Sequence, residues 1–271
     1  MTAPEQAAES AGQGRFTALV MAGTRPGGDP MALAAGVSHK CLLPVEGVAM
    51  IQRVIEALLR APSIDRVLVS IDAPEVFAGL DFGAEQDRIQ VVECGETPSL
   101  SALKAIESLA RPAPLLITTA DHPLLQPALI ERFLKDAEGK GADIVAGLAP
   151  AAVIQSAFPE SRRTYLKFRD GQFSGCNLFA LLTPEGLAVV RLWRRVEKER
   201  KRPWRMAKAF GLSTLLSYLL GRLTLEAGLA RISRLAGAKA AAVVLPVAEA
   251  AVDVDKPEDL ELVEAILRAR A

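Results

Sequence analysis

Short apolar runs alternate with helix-length segments through the first half of the chain, and this alternation limits the fold more than any single residue does. Phe16–Met21, Arg66–Ile71, Ile89–Val92, Leu115–Thr118 and Asp143–Ala146 have the length and apolarity of buried strands. Between them, Ala49–Arg60, Ser101–Ala110 and Pro127–Glu138 repeat apolar residues at the 3.6-residue spacing of amphipathic helices. Strands separated by helices pair in parallel, because each helix carries the chain back along the sheet. The expected fold class is therefore α/β, a mostly parallel sheet with helices on both faces. A late strand, Ala240–Pro246, leads to a closing helix over Pro257–Ala269, with Asp255 as its cap. In such sheets ligands bind beyond the carboxyl ends of the strands, so the residues that follow each strand carry the functional signal.

The first strand runs into Ala22, Gly23, Thr24, Arg25, Pro26, Gly27 and Gly28, and Lys40 comes later, ahead of Leu42-Leu43-Pro44-Val45. Glycines directly after a strand let a ligand approach the backbone and present N–H groups to phosphate oxygens. Arg25 and Lys40 add positive charge where a triphosphate would be negative. The segment lacks the GK[ST] of a Walker A loop and the GxGxxG of a dinucleotide site.

Asp121 follows the strand Leu115–Thr118 in the sequence TTADHPLL, where a carboxylate suits either a divalent cation or an ordinary turn before a proline-started helix. Asp253 and Asp255 follow the last strand, in AVDVDKPEDLELVEAI. If that strand continued, alternation would point both aspartates to one side. Gly95-Glu96-Thr97-Pro98-Ser99-Leu100-Ser101 is a polar turn opening a helix, with Ser99 and Ser101 as candidate caps. Arg162, Arg163, Tyr165 and Lys167 precede Gly175-Cys176-Asn177 and read either as an anion-binding cluster or as a solvated hairpin edge. The two histidines, His39 and His122, are too few for a histidine-based metal cage.

Three of these segments resemble, in order, the motifs of the MobA-like nucleotidyltransferases. Ala22-Gly23-Thr24-Arg25 is similar to AGxGTR with one G-x step missing, and His39-Lys40-Cys41-Leu42-Leu43-Pro44-Val45 to PKxLLPV with His for Pro. Asp121-His122-Pro123 resembles the family's D-x-P, and Asp255-Lys256-Pro257-Glu258-Asp259-Leu260 its [TK]PEDL element. The resemblance implies a Rossmann-like, GT-A-type fold. It implies that Arg25 and Lys40 are catalytic, that Ala22, Gly23, Thr24, Ser99 and Ser101 bind nucleotide, and that Asp121 and Asp255 hold Mg²⁺. Arg163, Lys167 and Asn177 fall in the region where the family contacts its acceptor. The expected reaction moves a nucleoside monophosphate from a nucleoside triphosphate, CTP or GTP, to a phosphorylated small molecule or lipid headgroup and releases pyrophosphate. Two alternatives share the fold. One is a GT-A glycosyltransferase, although DHP lacks the second acid of a D-x-D. The other is a catalytically silent nucleotide-binding or membrane-associated protein.

Composition narrows the setting. The formal charge of +0 gives no electrostatic basis for a nucleic-acid partner. Cys41, Cys94 and Cys176 are scattered and odd in number, which suits a reducing cytoplasm and buried small hydrophobes rather than disulfides. Residues 1–15 lack the features of a signal peptide and read as a loose tail before a domain over 16–271. No apolar run reaches the ~18 residues of a membrane span. Within the domain, Leu187–Gly237 reads as a continuous helical insertion, with nine Arg and Lys from Arg191 to Lys208, Trp193 and Trp204 among them, then the apolar Phe210–Leu225. Basic residues with interleaved Trp ahead of an apolar segment suit peripheral contact with the inner face of a membrane or a lid over an anionic substrate.

Overall fold

In the computed structural model, which describes residues 16–24, 27–199 and 211–270, the first strand lies near the middle of the main sheet. β1 (Phe16–Met21) pairs in parallel with β4 (Ile64–Ile71) on one side and β6 (Leu115–Thr119) on the other. β5 (Ile89–Glu93) extends the sheet beyond β4. β7 (Ile144–Pro150) and β10 (Ala240–Val244) form a second parallel pair. The long β9 (Gly171–Leu181) runs antiparallel between β6 and β7 and joins the two halves. The order is β10-β7-β9-β6-β1-β4-β5, and β8 (Leu166–Phe168) pairs with the outer part of β9. A separate small hairpin joins β2 (Pro44–Val45) to β3 (Val48–Ala49). Glu46 and Gly47 both take positive φ in its two-residue turn, 48° and 74°, the twist that such hairpins require.

The expected alternation is present, with strands reaching further than the apolar runs suggest at β4, β6 and β7. Period-2 alternation sends neighbouring residues to opposite faces. Ala18 and Val20 pack with α2 (Met50–Leu59) and α4 (Pro127–Glu138), whereas Leu19 packs with α3 (Pro98–Glu107) and α6 (Leu187–Glu199). Helices thus cover both faces, as the sequence implies.

The segment Leu187–Gly237 differs from its reading as continuous helix. α6 buries Val190 in the cluster of Leu19, Leu68 and Leu115 on that face of the sheet, so it is one of the covering helices, and Leu192 is buried as well. α7 (Leu212–Leu219) and α8 (Leu225–Ala236) are separated by a turn at Gly221, whose φ of 65° favours glycine. The tail 1–15, Arg25 and the basic stretch with Trp204 lie outside the described residues.

Asp143 ties together the far end of the sheet. Its carboxylate accepts the Lys239 amide at 2.6 Å and the Thr183 hydroxyl at 2.7 Å, joining the start of β7 to the segments beside β9 and β10. Its carbonyl accepts the Leu182 amide at 2.9 Å. The Lys239 amide, and then the Thr183 hydroxyl, hold the Asp143 carboxyl below its ordinary value of 3.8. A depressed folded-state pKa contributes stability that is present above the unfolded value and lost as pH falls through the folded one. Asp143→Asn is therefore expected to be less stable than the parent at neutral pH and to lose less further stability below about pH 4, as checked by urea unfolding at stepped pH.

Candidate active site

The parallel strands β1, β4, β5 and β6 end side by side, and their carboxyl ends supply the walls of the site. Ala22 follows β1, Asp72 follows β4, Cys94 and Gly95 follow β5, and Asp121 follows β6 with Ala120 between. Backbone bonds continue the strand pairing into these loops, from Ala22 N to Ser70 O (2.8 Å), Ala120 N to Met21 O (3.0 Å) and Cys94 N to Ile71 O (3.1 Å).

Lys40, Asp121 and Asp255 meet at one point. The Lys40 ammonium donates to Asp121 Oδ2 at 3.0 Å and to Asp255 Oδ1 at 2.8 Å, across sequence separations of 81 and 215 residues. Lys40 stands on the short turn Lys40–Leu42, and its neighbour Leu43 is buried with Val45, Met50, Leu124, Val252, Val254 and Val263 in a small apolar cluster. Each of the three segments thus contributes a buried side chain next to its polar one. The Val254 amide also bonds to the Asp121 carbonyl at 2.9 Å. Fully burying a Leu or Val stabilises by about 1.5–3 kcal/mol, whereas the attraction of the half-buried Lys40–Asp121 pair is offset by desolvation of both charges. The more exposed Lys40–Asp255 pair contributes about 0–1 kcal/mol. The apolar cluster assembles the site, and the ion pairs orient it.

Burial lowers the pKa of Lys40, but the Asp121 charge and the bonds and charge of Asp255 outweigh it, and the net shift is upward. Asp121 Oδ1 is buried and has no hydrogen-bond partner among the described residues. A divalent ion that prefers oxygen donors fits this pair of carboxylates, since they already converge on a cation, the Lys40 ammonium, that stands in for one. No group of three or more His, Cys, Asp or Glu able to hold a metal occurs among the described residues. Magnesium commonly completes its coordination from phosphate and water around one or two carboxylates.

The nucleotide-binding candidates flank this point. Ala22 is buried and Gly23 exposed, and a Cβ on Gly23 would stand 3.3 Å from Cys94 Sγ. The Thr24 amide, expected to face phosphate, donates to Asp72 Oδ1 at 2.9 Å. Asp72 also lies 3.6 Å from His39 Nε2, so it links the glycine loop to the Lys40 turn. Arg25 lies outside the described residues.

Thr97, and not Ser99 or Ser101, caps α3, accepting the Leu100 amide at 3.3 Å. Ser101 is buried and braces the preceding loop, accepting the Gly95 amide at 2.9 Å and donating towards the carbonyls of Gly95 and Thr97. A Cβ on Gly95 would come within 2.7 Å of Leu100, so only glycine lets this loop approach the helix so closely. Ser99 is fully buried and donates to Glu197 of α6. His122 turns away from the site, its Nε2–H donating to the Glu249 carbonyl at 3.3 Å, and burial lowers its pKa so that it stays neutral. Burial pushes the Cys41 and Cys176 thiols up to about 12, which leaves both as inert packing groups.

Residues 19–169 match the MobA-like NTP transferase domain. The chain belongs to this family. The matched region includes Lys40, Asp72 and Asp121, and Asp255 lies beyond it. A 2-C-methyl-D-erythritol 4-phosphate cytidylyltransferase of Ralstonia nicotianae is 33% identical over 151 residues, covering 51% of this chain and 55% of that protein. The one from Acidobacterium capsulatum is 29% identical over 125 residues, covering 44% of this chain and 52% of its own length. The chain spans about half the length of these curated relatives. Among solved structures, a hypothetical transferase from Thermus thermophilus aligns at a TM-score of 0.75 and 32% identity, covering 91% of this chain and 99% of that one. The 4-diphosphocytidyl-2C-methyl-D-erythritol synthase of Anaerococcus prevotii shares the fold at a TM-score of 0.56 and 12% identity, covering 94% of this chain and 99% of that one.

In this MobA-like domain two of the acceptor candidates, Arg163 and Asn177, meet at Asp253, and Lys167 lies apart. Arg163 is nearly buried and is engaged with Asp253 and Asp259: its Nη1 donates to the Asp253 carboxylate, and its Nη2 lies 3.2 Å from the Asp253 carbonyl and 3.4 Å from Asp259 Oδ1. Asn177 takes a positive φ of 51° where β9 slips its register against β7, and its Nδ2 donates to Asp253 Oδ2 at 3.2 Å. Such irregularities re-aim a side chain out of the pleat. Asp259 in turn accepts the Asp255 amide at 3.1 Å. Residues 252–255 form no strand, so Asp253 and Asp255 face different partners rather than one side. Lys167 sits apart on the exposed β8, its amide 3.4 Å from the Tyr218 hydroxyl.

Asp72 and Glu197 are the polar residues that sequence reading passed over. Asp72 follows a buried strand as Asp121 does, and that shared position is the signal that identifies it. Nothing in the sequence around Glu197 pairs it with Ser99.

Removing one partner from a buried ion pair costs about 3–5 kcal/mol, because the remaining charge is left uncompensated. Arg163→Met is accordingly expected to destabilise the fold by about that amount, read from urea denaturation midpoints. A variant unfolding within 0.5 kcal/mol or so of the parent would remove Arg163 from this structural role.

Proposed function

We propose that this chain is a magnesium-dependent nucleotidyltransferase that moves a nucleoside monophosphate from a nucleoside triphosphate to a phosphorylated acceptor. The observation that carries this reading is the convergence of Lys40, Asp121 and Asp255 at the carboxyl ends of the strands. An acceptor phosphate oxygen would attack the α-phosphorus while the bond to the pyrophosphate oxygen breaks. Such chemistry asks the protein mainly for positioning and charge stabilisation. Asp121 and Asp255 would hold Mg²⁺, which when bound supplies charge neutralisation at the phosphate oxygens. Lys40, with Arg25, would neutralise the triphosphate, and Ala22, Gly23 and the loop braced by Ser101 would seat the nucleoside. The names of the curated relatives favour CTP as donor and a sugar or polyol phosphate as acceptor, with GTP as the other candidate base.

A pyrophosphate-release screen of the four ribonucleotides against a panel of phosphorylated acceptors tests this. Turnover is expected with CTP, and Asp121→Asn or Lys40→Ala should lower it at least about 100-fold, the range of a lost transition-state contact. Circular dichroism should report an unchanged fold in both variants. Parent-like rates in either would sink the assignment.

Peripheral membrane contact through 187–237, or a lipid headgroup as acceptor, is a second part of the proposal. α7 buries no residue, and Leu212, Leu216 and Leu219, at helical spacing, stand 53–72% exposed, with Leu220 beside them. α7 is held to β8 through Tyr218, which stacks edge-on with Phe168 at 5.8 Å. On α6, Arg191, Arg194, Arg195 and Lys198 share one helical face and line a cleft of about 500 Å³. An exposed leucine face on one helix and a cationic face on another, within one segment, suit an anionic lipid surface. The protein is expected to co-sediment with vesicles containing phosphatidylserine, and Leu212→Glu with Leu216→Glu should abolish this. Equal sedimentation of parent and variant would end the membrane reading. No helix among the described residues is long and apolar enough to cross a membrane.

A further inference from the structure

The Lys40 side chain holds both carboxylates that the proposed function assigns to the divalent ion. Its ammonium lies 3.0 Å from Asp121 Oδ2 and 2.8 Å from Asp255 Oδ1. The other oxygen of Asp121 is closed off from solvent, with no hydrogen-bond partner among the described residues. The oxygen of Asp121 that an incoming ion would meet is therefore the one Lys40 already occupies. Two cations in direct contact with the same two oxygens would repel each other at short range. An ion arriving there must displace the ammonium.

The backbone under Lys40 is fixed. Leu42 N bonds to His39 O at 3.0 Å, Leu43 N to Lys40 O at 3.1 Å, and Leu43 is anchored in the apolar cluster. The side chain is not fixed in the same way. A lysine is a point charge with rotatable donors on a flexible four-carbon stem, so it can trade partners while the turn stays in place.

We propose that Lys40 is a resident counter-cation that competes with the divalent ion for Asp121 and Asp255 and yields only when a triphosphate arrives to take over the ammonium. This rests on the nucleotidyltransferase reading and adds an order of events to it. An ion alone would leave the displaced ammonium beside a second positive charge. An ion bound to a triphosphate supplies phosphate oxygens for the ammonium to pair with. The two ligands are thus coupled through one side chain, each binding weakly by itself and strongly with the other. Asp121 and Asp255 also stay paired without an ion, so their mutual repulsion does not strain the loops.

Binding of Mn²⁺, used as the probe, to the full chain without nucleotide tests this, with free Mn²⁺ followed by electron paramagnetic resonance. If Lys40 holds the site about nine-tenths of the time, removing it tightens apparent binding by about ten-fold. Lys40→Met should therefore bind Mn²⁺ at least about ten-fold more tightly than the parent, and Lys40→Arg should remain weak. Adding Asp121→Asn to Lys40→Met should erase the gain. Lys40→Gln carries the same expectation should the Met variant fail to fold, and Mn²⁺ should raise the melting temperature of either neutral variant more than that of the parent. If the neutral variants bind no more tightly while the parent retains Mn²⁺ together with CTP, the exchange is overturned and the metal site stands. If no protein retains Mn²⁺ with or without CTP, both readings fall.

Discussion

Bringing two carboxylates and an ammonium to one point from three distant parts of a chain requires something other than their own attraction. Here the requirement is met by a few apolar side chains, Leu43, Leu124 and Val254 among them, buried together just behind Lys40, Asp121 and Asp255. Each polar residue lies within three positions of one of these anchors. The position of these charges is therefore set by packing beneath them, and the ion pairs inherit their geometry from the apolar cluster.

A second layer supports the same point from the other side. Arg163 and Asn177 grip Asp253, and Asp259 takes the Asp255 amide, so the loop that presents Asp255 is fixed along its length. Asn177 reaches Asp253 because β9 leaves its register there, at the cost of a left-handed backbone for a non-glycine residue. Arg163 and Asn177, which look like acceptor contacts in the sequence, act as struts in the structure. On the opposite flank, Asp72 draws together the Thr24 amide and His39. The glycine loop and the Lys40 turn, well separated in sequence, are joined by that carboxylate.

What the sequence made legible follows from how local each signal is. β1 and α4 coincide with their apolar periodicity, because strand and helix patterns are written in neighbouring residues. Asp121 and Asp255 each stand in a short motif of neighbouring residues, and the structure brings the two together at Lys40. Thr97 was passed over as the cap since Ser99 and Ser101 are equally plausible by residue type, and only the backbone angle at Thr97 separates them. The antiparallel course of β9, the Ser99–Glu197 contact and the network around Arg163 are long-range pairings with no local trace. α6 looked like part of an insertion because its basic face dominates its composition, while the few residues it buries, Val190 and Leu192, decide where it sits.

The central placement of β9 also bears on how the chain becomes a folded body. β6 and β7 are not paired with each other; each bonds to β9, which is made after both of them. Until Gly171–Leu181 has emerged during synthesis, both strands present open edges, the form of backbone most prone to pairing with another chain. The stretch that matches the family's domain ends at residue 169, two residues short of this strand. A fragment cut to that homologous stretch would keep Lys40 and Asp121 yet lack the strand that closes the sheet between its two halves. The matched stretch is therefore shorter than the unit that folds.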